Sequence, residues 1–329
     1  MIEPKQHLHP DVLTPEAKLE PIRAGFGRGL LEAGHRDKNV VALCADLTDS
    51  TKIGDFARSY PERYVEVGIA EQNLVTVAAG MALTGKIPFT SSYAAFSPGR
   101  NWEQIRTTIC LNVTNVKIVG SHAGLMTGAD GATHQMLEDI TLMRVLPNMT
   151  VVVPADSVEA EKATLALAAL NGPAYLRLAR DKSPVITTDK SPFDLGRAQI
   201  LRSGTDLTIV ACGVLVYHAL MAAEVLAAEH NLEVEVINAA VIKPLDTVTI
   251  LASASKTGAV LTCEEGQIAG GLGSAVAEAL AEHAPTPLQR VGVQDRFGES
   301  GTPGELLEAF GLTAPHLVKQ ALELIKRKS

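Results

Sequence analysis

Glu71 stands at the head of a segment in which Val75, Val77, Ala78, Ala79, Met81, Ala82 and Leu83 leave no wide polar face. A helix apolar almost all round is buried, and its one early carboxylate goes in with it. Such a group needs a partner. It can cap its own helix against the dipole, or it can exchange a proton with a ligand nitrogen. A second group lies in the loop 124–135, Gly-Leu-Met-Thr-Gly-Ala-Asp-Gly-Ala-Thr-His-Gln, where glycines that permit left-handed turns accompany Asp130 and His134. Taken alone, Asp130-Gly131 also reads as a turn and Thr133 as a helix cap.

What must position these residues is an alternation of short apolar runs with helical patterns. From residue 21 to 180 the expected strands are 40–45, 63–67, 87–91, 116–119, 150–153 and 174–178. Helices are expected at 22–33, 70–83, 101–111, 136–145 and 158–169. Such alternation predicts a mostly parallel sheet covered on both faces, whose binding site forms at the carboxyl ends of its strands. The residues following those ends are Asp46 to Ser50, Glu71, Tyr93 to Phe96, Ser121 to Gly124 with His122 among them, and Arg180. They converge on one edge.

A polar, proline-containing stretch after Arg180 reads as a linker, and a smaller α/β pattern follows, with strands at 206–212, 233–238, 259–263 and 288–293. The expected fold class is α/β, two α/β domains with mostly parallel sheets: a tail over 1–20, a first domain over 21–180, a linker over 181–197 and a second domain over 198–329. Gly270-Gly271-Leu272-Gly273 lacks the spacing of a dinucleotide turn and the lysine of a P-loop, so tight helix packing is expected there. Of the adjacent acids Glu264 and Glu265, alternation along a strand predicts one buried and one solvated.

The 329 residues carry 29 Lys and Arg against 37 Asp and Glu, a formal net charge of -8. No basic tract stands out beyond Lys326-Arg327-Lys328, which argues against a nucleic-acid partner. The cysteines, Cys44, Cys110, Cys212 and Cys263, form no C-x-x-C pair and three lie in apolar runs, so reduced thiols and a cytoplasmic location are expected. No run approaches a membrane span.

Five stretches together resemble the C-terminal two-thirds of transketolase and of 1-deoxyxylulose-5-phosphate synthase: Val67 to Gln72, Gly128 to Gln135, Pro154-Ala155-Asp156, Glu264 to Gly273 and Asp295 to Gly301. The resemblance implies the pyrimidine-binding and C-terminal domains of a thiamine-diphosphate enzyme. In that family the acid matching Glu71 bonds N1′ of the aminopyrimidine, so that the exocyclic nitrogen can take the proton from thiazolium C2. Phe96, with Tyr93 beside it, matches the aromatics that stack on the pyrimidine, and Asp46 is a further candidate for cofactor contact. His134 would meet the donor ketose near its C1 hydroxyl and Asp130 would read a hydroxyl further along. Arg23, Ser50, His122 and Arg180 match the group that holds the substrate phosphate. One departure is the run Ser97-Pro98-Gly99-Arg100, which lacks the tyrosine many transketolases place there. Trp102 is the expected substitute.

The Gly-Asp-Gly motif with which such enzymes hold Mg²⁺ and the diphosphate does not occur in the sequence. The expected protein is therefore one subunit of a split transketolase of the pentose phosphate type, itself holding no metal. Its partner, an N-terminal subunit, would bind Mg²⁺ and the diphosphate of a shared thiamine diphosphate in a two-plus-two heterotetramer, with a homodimer possible for the chain alone. Two alternatives remain open: a split ketolase or synthase using an unusual sugar or pyruvate, and a non-catalytic regulatory subunit. The intact set Glu71, Phe96, Asp130, His134 and Arg180 argues against the latter.

Overall fold

The computed structural model describes residues 1–328. Its first part runs β1 (Leu19–Pro21), α1 (Ile22–Arg36), β2 (Val40–Cys44), α2 (Gly54–Ser59), β3 (Tyr64–Glu66), α3 (Glu71–Leu83), β4 (Ile87–Tyr93), α4 (Trp102–Gln104), β5 (Lys117–Ser121), α5 (Asp139–Arg144), β6 (Thr150–Val152), α6 (Ser157–Ala169) and β7 (Ala174–Arg177). After β8 (Lys182–Pro184) come β9 (Gln199–Arg202), β10 (Leu207–Ala211), α7 (Leu215–His230), β11 (Val234–Asn238), β12 (Val241–Lys243), α8 (Thr247–Thr257), β13 (Val260–Gln267), α9 (Leu272–His283), β14 (Leu288–Val293), α10 (Pro303–Ala309) and α11 (Ala314–Ile325).

Every residue of β2 and β5 is buried, as expected of strands covered on both faces. The larger sheet has the order β12-β6-β7-β5-β4-β2-β3 and is parallel except for β12. The smaller has the order β14-β13-β10-β11-β9, with β9 antiparallel. The α/β class with mostly parallel sheets is thus the architecture of the chain.

Three features differ from the sequence reading. Edge strand β12 comes from the second half of the sequence yet completes the first sheet, pairing Val241 with Val152 and Lys243 with Val151. The stretch read as a linker packs closely: β8 pairs with β1, and the Asp156 carboxylate accepts the backbone N–H of Ile186 at 2.7 Å and of Thr187 at 2.5 Å. The first twenty residues are also anchored. Glu3 N–H donates to Leu201 O at 2.9 Å, His9 N–H to Ile186 O at 2.8 Å, and Val12 is buried. A chain end that buries an apolar side chain and pairs its backbone has left the behaviour of a free tail.

Candidate active site

Because β2, β3, β4, β5 and β7 run parallel, their carboxyl ends lie along one edge, and the candidate residues gather there. Glu71 is the first residue of α3 and is buried. Among the described residues its side chain takes its hydrogen bond from outside its own helix. It meets Arg100, whose Nη1 stands 3.2 Å from Oε1, while Asn101 Nδ2 holds the Glu71 backbone carbonyl at 2.8 Å. Arg100 is half exposed. The carboxylate borders a hollow of about 100 Å³ lined by Ala45, Asp46, Leu47, Ile69 and Phe96, and a wider one of about 410 Å³ between Ile69 to Asn73 and Arg100.

A stack of flat groups runs inward from that hollow. Arg100 Cζ lies 4.1 Å from the Phe96 ring centre, Phe96 stacks on Tyr93 at 5.8 Å, and Tyr93 stacks on His122 at 3.7 Å. His134 meets Phe96 edge-on at 5.4 Å. The expected substitute Trp102 is elsewhere: its Nε1 donates to Leu142 O at 2.8 Å, and the ring packs against the core. Arg100 forms the wall instead. An indole N–H that has a carbonyl to donate to is better placed in the core than facing a ligand.

Beyond the stack sits a cationic cluster. Arg23 Nε donates to Arg180 O at 3.0 Å, Arg23 Nη1 donates to Ser50 O, and Arg180 Nη1 donates to Thr127 O at 2.8 Å. Neither guanidinium forms an ion pair with a carboxylate among the described residues. Burial first, then Arg180, holds Arg23 below the usual guanidinium value. His122 is buried, shares a 2.9 Å hydrogen bond between its Nδ1 and Ser121 Oγ, and has a backbone φ of 56°. Burial, followed by Arg23, Arg180 and His134, pushes its imidazole down to about 3. It is therefore neutral at pH 7. Two arginines fixed through backbone carbonyls, with a neutral imidazole beside them, make a place for an anion.

Asp46 also has a left-handed backbone, at φ 59°, and is exposed. Its loop is held by Glu66, an acid the sequence reading passed over, which accepts N–H bonds from Asp46 and Gly68 at 2.8 Å each. Burial of Glu66 opposes these bonds, yet its carboxyl is held below the usual value by them and by Tyr64. Non-glycine residues in this conformation are uncommon and gather at functional sites. Asp130 is exposed at the end of its loop, and His134 Nδ1 bonds Thr133 Oγ1 at 2.9 Å. Thr133 caps no helix, since α5 begins only at Asp139.

Glu264 and Glu265 are both buried, against the expectation of one solvated acid. Both faces of β13 are covered by helices of its own domain, α9 on one and α7 with α11 on the other, and at its carboxyl end Glu265 meets the first domain. Glu264 takes N–H bonds from Leu272 and Gly273 at 2.8 Å each, so the glycine turn receives a carboxylate of the protein itself. A Cβ at Gly271 would lie 2.0 Å from that carboxylate, the tight packing expected there. Glu265 crosses to the first domain, where Arg177 and Asp139 lie. No run of sequence marks this cross-domain contact, because its members come from three distant stretches.

The sequence model of the transketolase pyrimidine-binding domain matches residues 21–185, and that of the transketolase C-terminal domain matches residues 196–317. The chain is 44% identical to the 6-deoxy-6-sulfo-D-fructose transketolase subunit SqwH of Clostridium sp. (strain MSTE9), over 95% of this chain and 98% of that protein. It is 39% identical to an apulose-4-phosphate transketolase subunit of Phocaeicola vulgatus, over 93% and 97%. Among solved structures, a split-gene transketolase described as an inactive β4 tetramer superposes with a TM-score of 0.88 at 46% identity, covering 94% of this chain and 99% of that one. Leishmania mexicana transketolase superposes at 0.79 with 25% identity, this chain matching 46% of its length. With both domain models matched in order and relatives aligned from end to end, the chain belongs to the transketolase family of thiamine-diphosphate-dependent enzymes, as a split transketolase-family subunit.

Proposed function

We propose that the chain is the subunit of a two-chain transketolase that presents the pyrimidine and sugar-phosphate side of the active site, transferring a two-carbon glycolaldehyde unit from an anionic ketose to an aldose phosphate. The observation that carries this reading is Glu71: a buried carboxylate at the start of an apolar helix, whose partner among the described residues is a half-exposed arginine, and which borders a hollow walled by Phe96. That donor set and aromatic wall fit an aminopyrimidine ring. Thiamine diphosphate, when bound, supplies a carbanion-stabilising thiazolium carbon for cleaving the ketose C2–C3 bond.

The chain's own residues then divide the work. Glu71 holds and exchanges a proton at the pyrimidine ring nitrogen, and Phe96 with Tyr93 fixes the plane of that ring. His134, edge-on to Phe96, faces the donor hydroxyls, Asp130 reads a hydroxyl at the mouth, and Asp46 closes the cofactor side. Arg23, Arg180, Ser50 and neutral His122 hold the anionic end of the sugar. Mg²⁺ and the diphosphate fall to a partner chain, the N-terminal subunit, in a two-plus-two assembly. Relatives named for a sulfosugar and for apulose 4-phosphate favour keeping the donor at the level of an anionic ketose.

The test is glycolaldehyde transfer to ribose 5-phosphate, with thiamine diphosphate and Mg²⁺, from a panel of xylulose 5-phosphate, fructose 6-phosphate and 6-deoxy-6-sulfofructose. It is run with the purified chain and with the complex recovered from its own cells. Turnover only in the complex is expected. Turnover by the chain alone refutes the division between subunits, and a complex that uses none of the panel refutes the proposed donor class.

A further inference from the structure

Glu265 enters the first domain from β13 and reaches the loop that runs into the anion site. Its Oε1 accepts the Met126 N–H at 2.6 Å. The next residue, Thr127, is where two members of that site are tied: its carbonyl accepts from Arg180 Nη1 at 2.8 Å, and its Oγ1 donates to the His122 carbonyl at 2.6 Å. The loop is moulded around the carboxylate. A Cβ at Gly124 would lie 2.4 Å from Glu265 Cδ, and Gly124 itself is at φ 79°.

The Glu265 backbone is anchored from behind. Arg177 Nη2 donates to the Glu265 carbonyl at 2.7 Å and Arg177 Nη1 stands 3.6 Å from Oε2. Around it are Arg177 and Tyr175 from β7, Asp139 from α5, which binds both of these, and the Cys212 thiol beside Arg177, while Glu264 turns away to α9. Two carboxylates share one guanidinium.

We propose that Glu265 is a positioning residue through which the second domain sets the pose of Arg180 and His122, and so tunes recognition of the anionic end of the sugar. The inference rests on the reading of those residues as an anion site. A buried hydrogen bond one residue from the node at Thr127 fixes the loop at the point where a small displacement would carry both groups away from their ligand.

The test uses the assembled two-chain enzyme at saturating donor and compares ribose 5-phosphate with ribose as acceptor. Glu265→Asp keeps a carboxyl beside Arg177 but withdraws it from Met126, and is expected to raise KM for ribose 5-phosphate about tenfold. Its kcat, and its kcat/KM for ribose, should stay within about twofold. Glu265→Gln keeps the reach and an accepting oxygen for the Met126 N–H, and is expected to restore KM to within about threefold of wild type. Equal losses on the two acceptors, or Gln impaired where Asp is not, overturn the inference. Arg180→Ala separates it from its premise. If that variant penalises both acceptors alike, the anion-site reading fails; if it is selective and Glu265→Asp is not, the positioning role alone fails.

Discussion

Replacing Glu71 by Gln separates catalysis from stability on two scales that do not overlap. The side chain's contribution to the fold is small. Its ion pair is with an arginine whose side chain is 51% exposed, the kind of pair worth about 0–1 kcal/mol, and an acid in a first helical turn adds about 0.3–1 kcal/mol. The lower ends of these ranges apply to Gln, which keeps the shape, so a melting shift of a few degrees is the most to expect, at about 2–4 °C per kcal/mol for a domain of this size. Loss of a positioned proton-exchanging group costs about 10²–10⁴ in rate. The assay is steady-state ketol transfer by the two-chain complex, beside thermal melting and size-exclusion of the same sample. Turnover should fall by at least about two orders of magnitude with assembly intact, and Glu71→Ala should behave alike. Turnover within about threefold of wild type would refute the role given to this carboxylate.

Two further outcomes follow from the geometry. Gly124→Ala adds a methyl 2.4 Å from Glu265 Cδ at a residue with φ 79°, so thermal unfolding should show a loss of about 2 kcal/mol or more; an unchanged melting temperature would contradict the close approach. His122 has its folded value pushed down to about 3, below the ordinary imidazole value of 6.5, so it binds protons more readily unfolded than folded. Its contribution is present above pH 6.5 and is lost as pH falls toward 3; His122→Asn should therefore flatten the acid limb of a stability-against-pH curve, and an identical limb in the variant would refute it.

The edge on which the site forms was legible because it depends on local signals. An apolar run ending at Gly68 and an apolar helix begun by one acid locate Glu71, and parallel alternation brings Asp46, Tyr93, His122 and Arg180 to the same rim. What stayed hidden was the contribution of distant sequence. Glu264 and Glu265 follow the alternation of a strand, yet both are buried, because helices of its own domain cover both faces of β13 and the first domain closes over its end at Glu265. Arg100 reads as a surface residue until Phe96 and Glu71 are placed beside it. Val241–Lys243 looks like the continuation of its own domain until it pairs with β6. Helix α11, with Leu317, Ala321 and Leu324 buried at helical spacing, was within reach of periodicity and went unread.

The crossing of β12 into the first sheet bears on how such a chain can be divided in evolution or in the laboratory. A gene broken within codons 181–197 would yield a first fragment whose β6 shows bare N–H and C=O groups along one side, and a second fragment carrying the strand that belongs there. Exposed edges of that kind invite pairing with the wrong chain. The two halves are one heritable unit, and recombination that exchanges either half between relatives has to respect the fit of Val241 and Lys243 to Val152 and Val151.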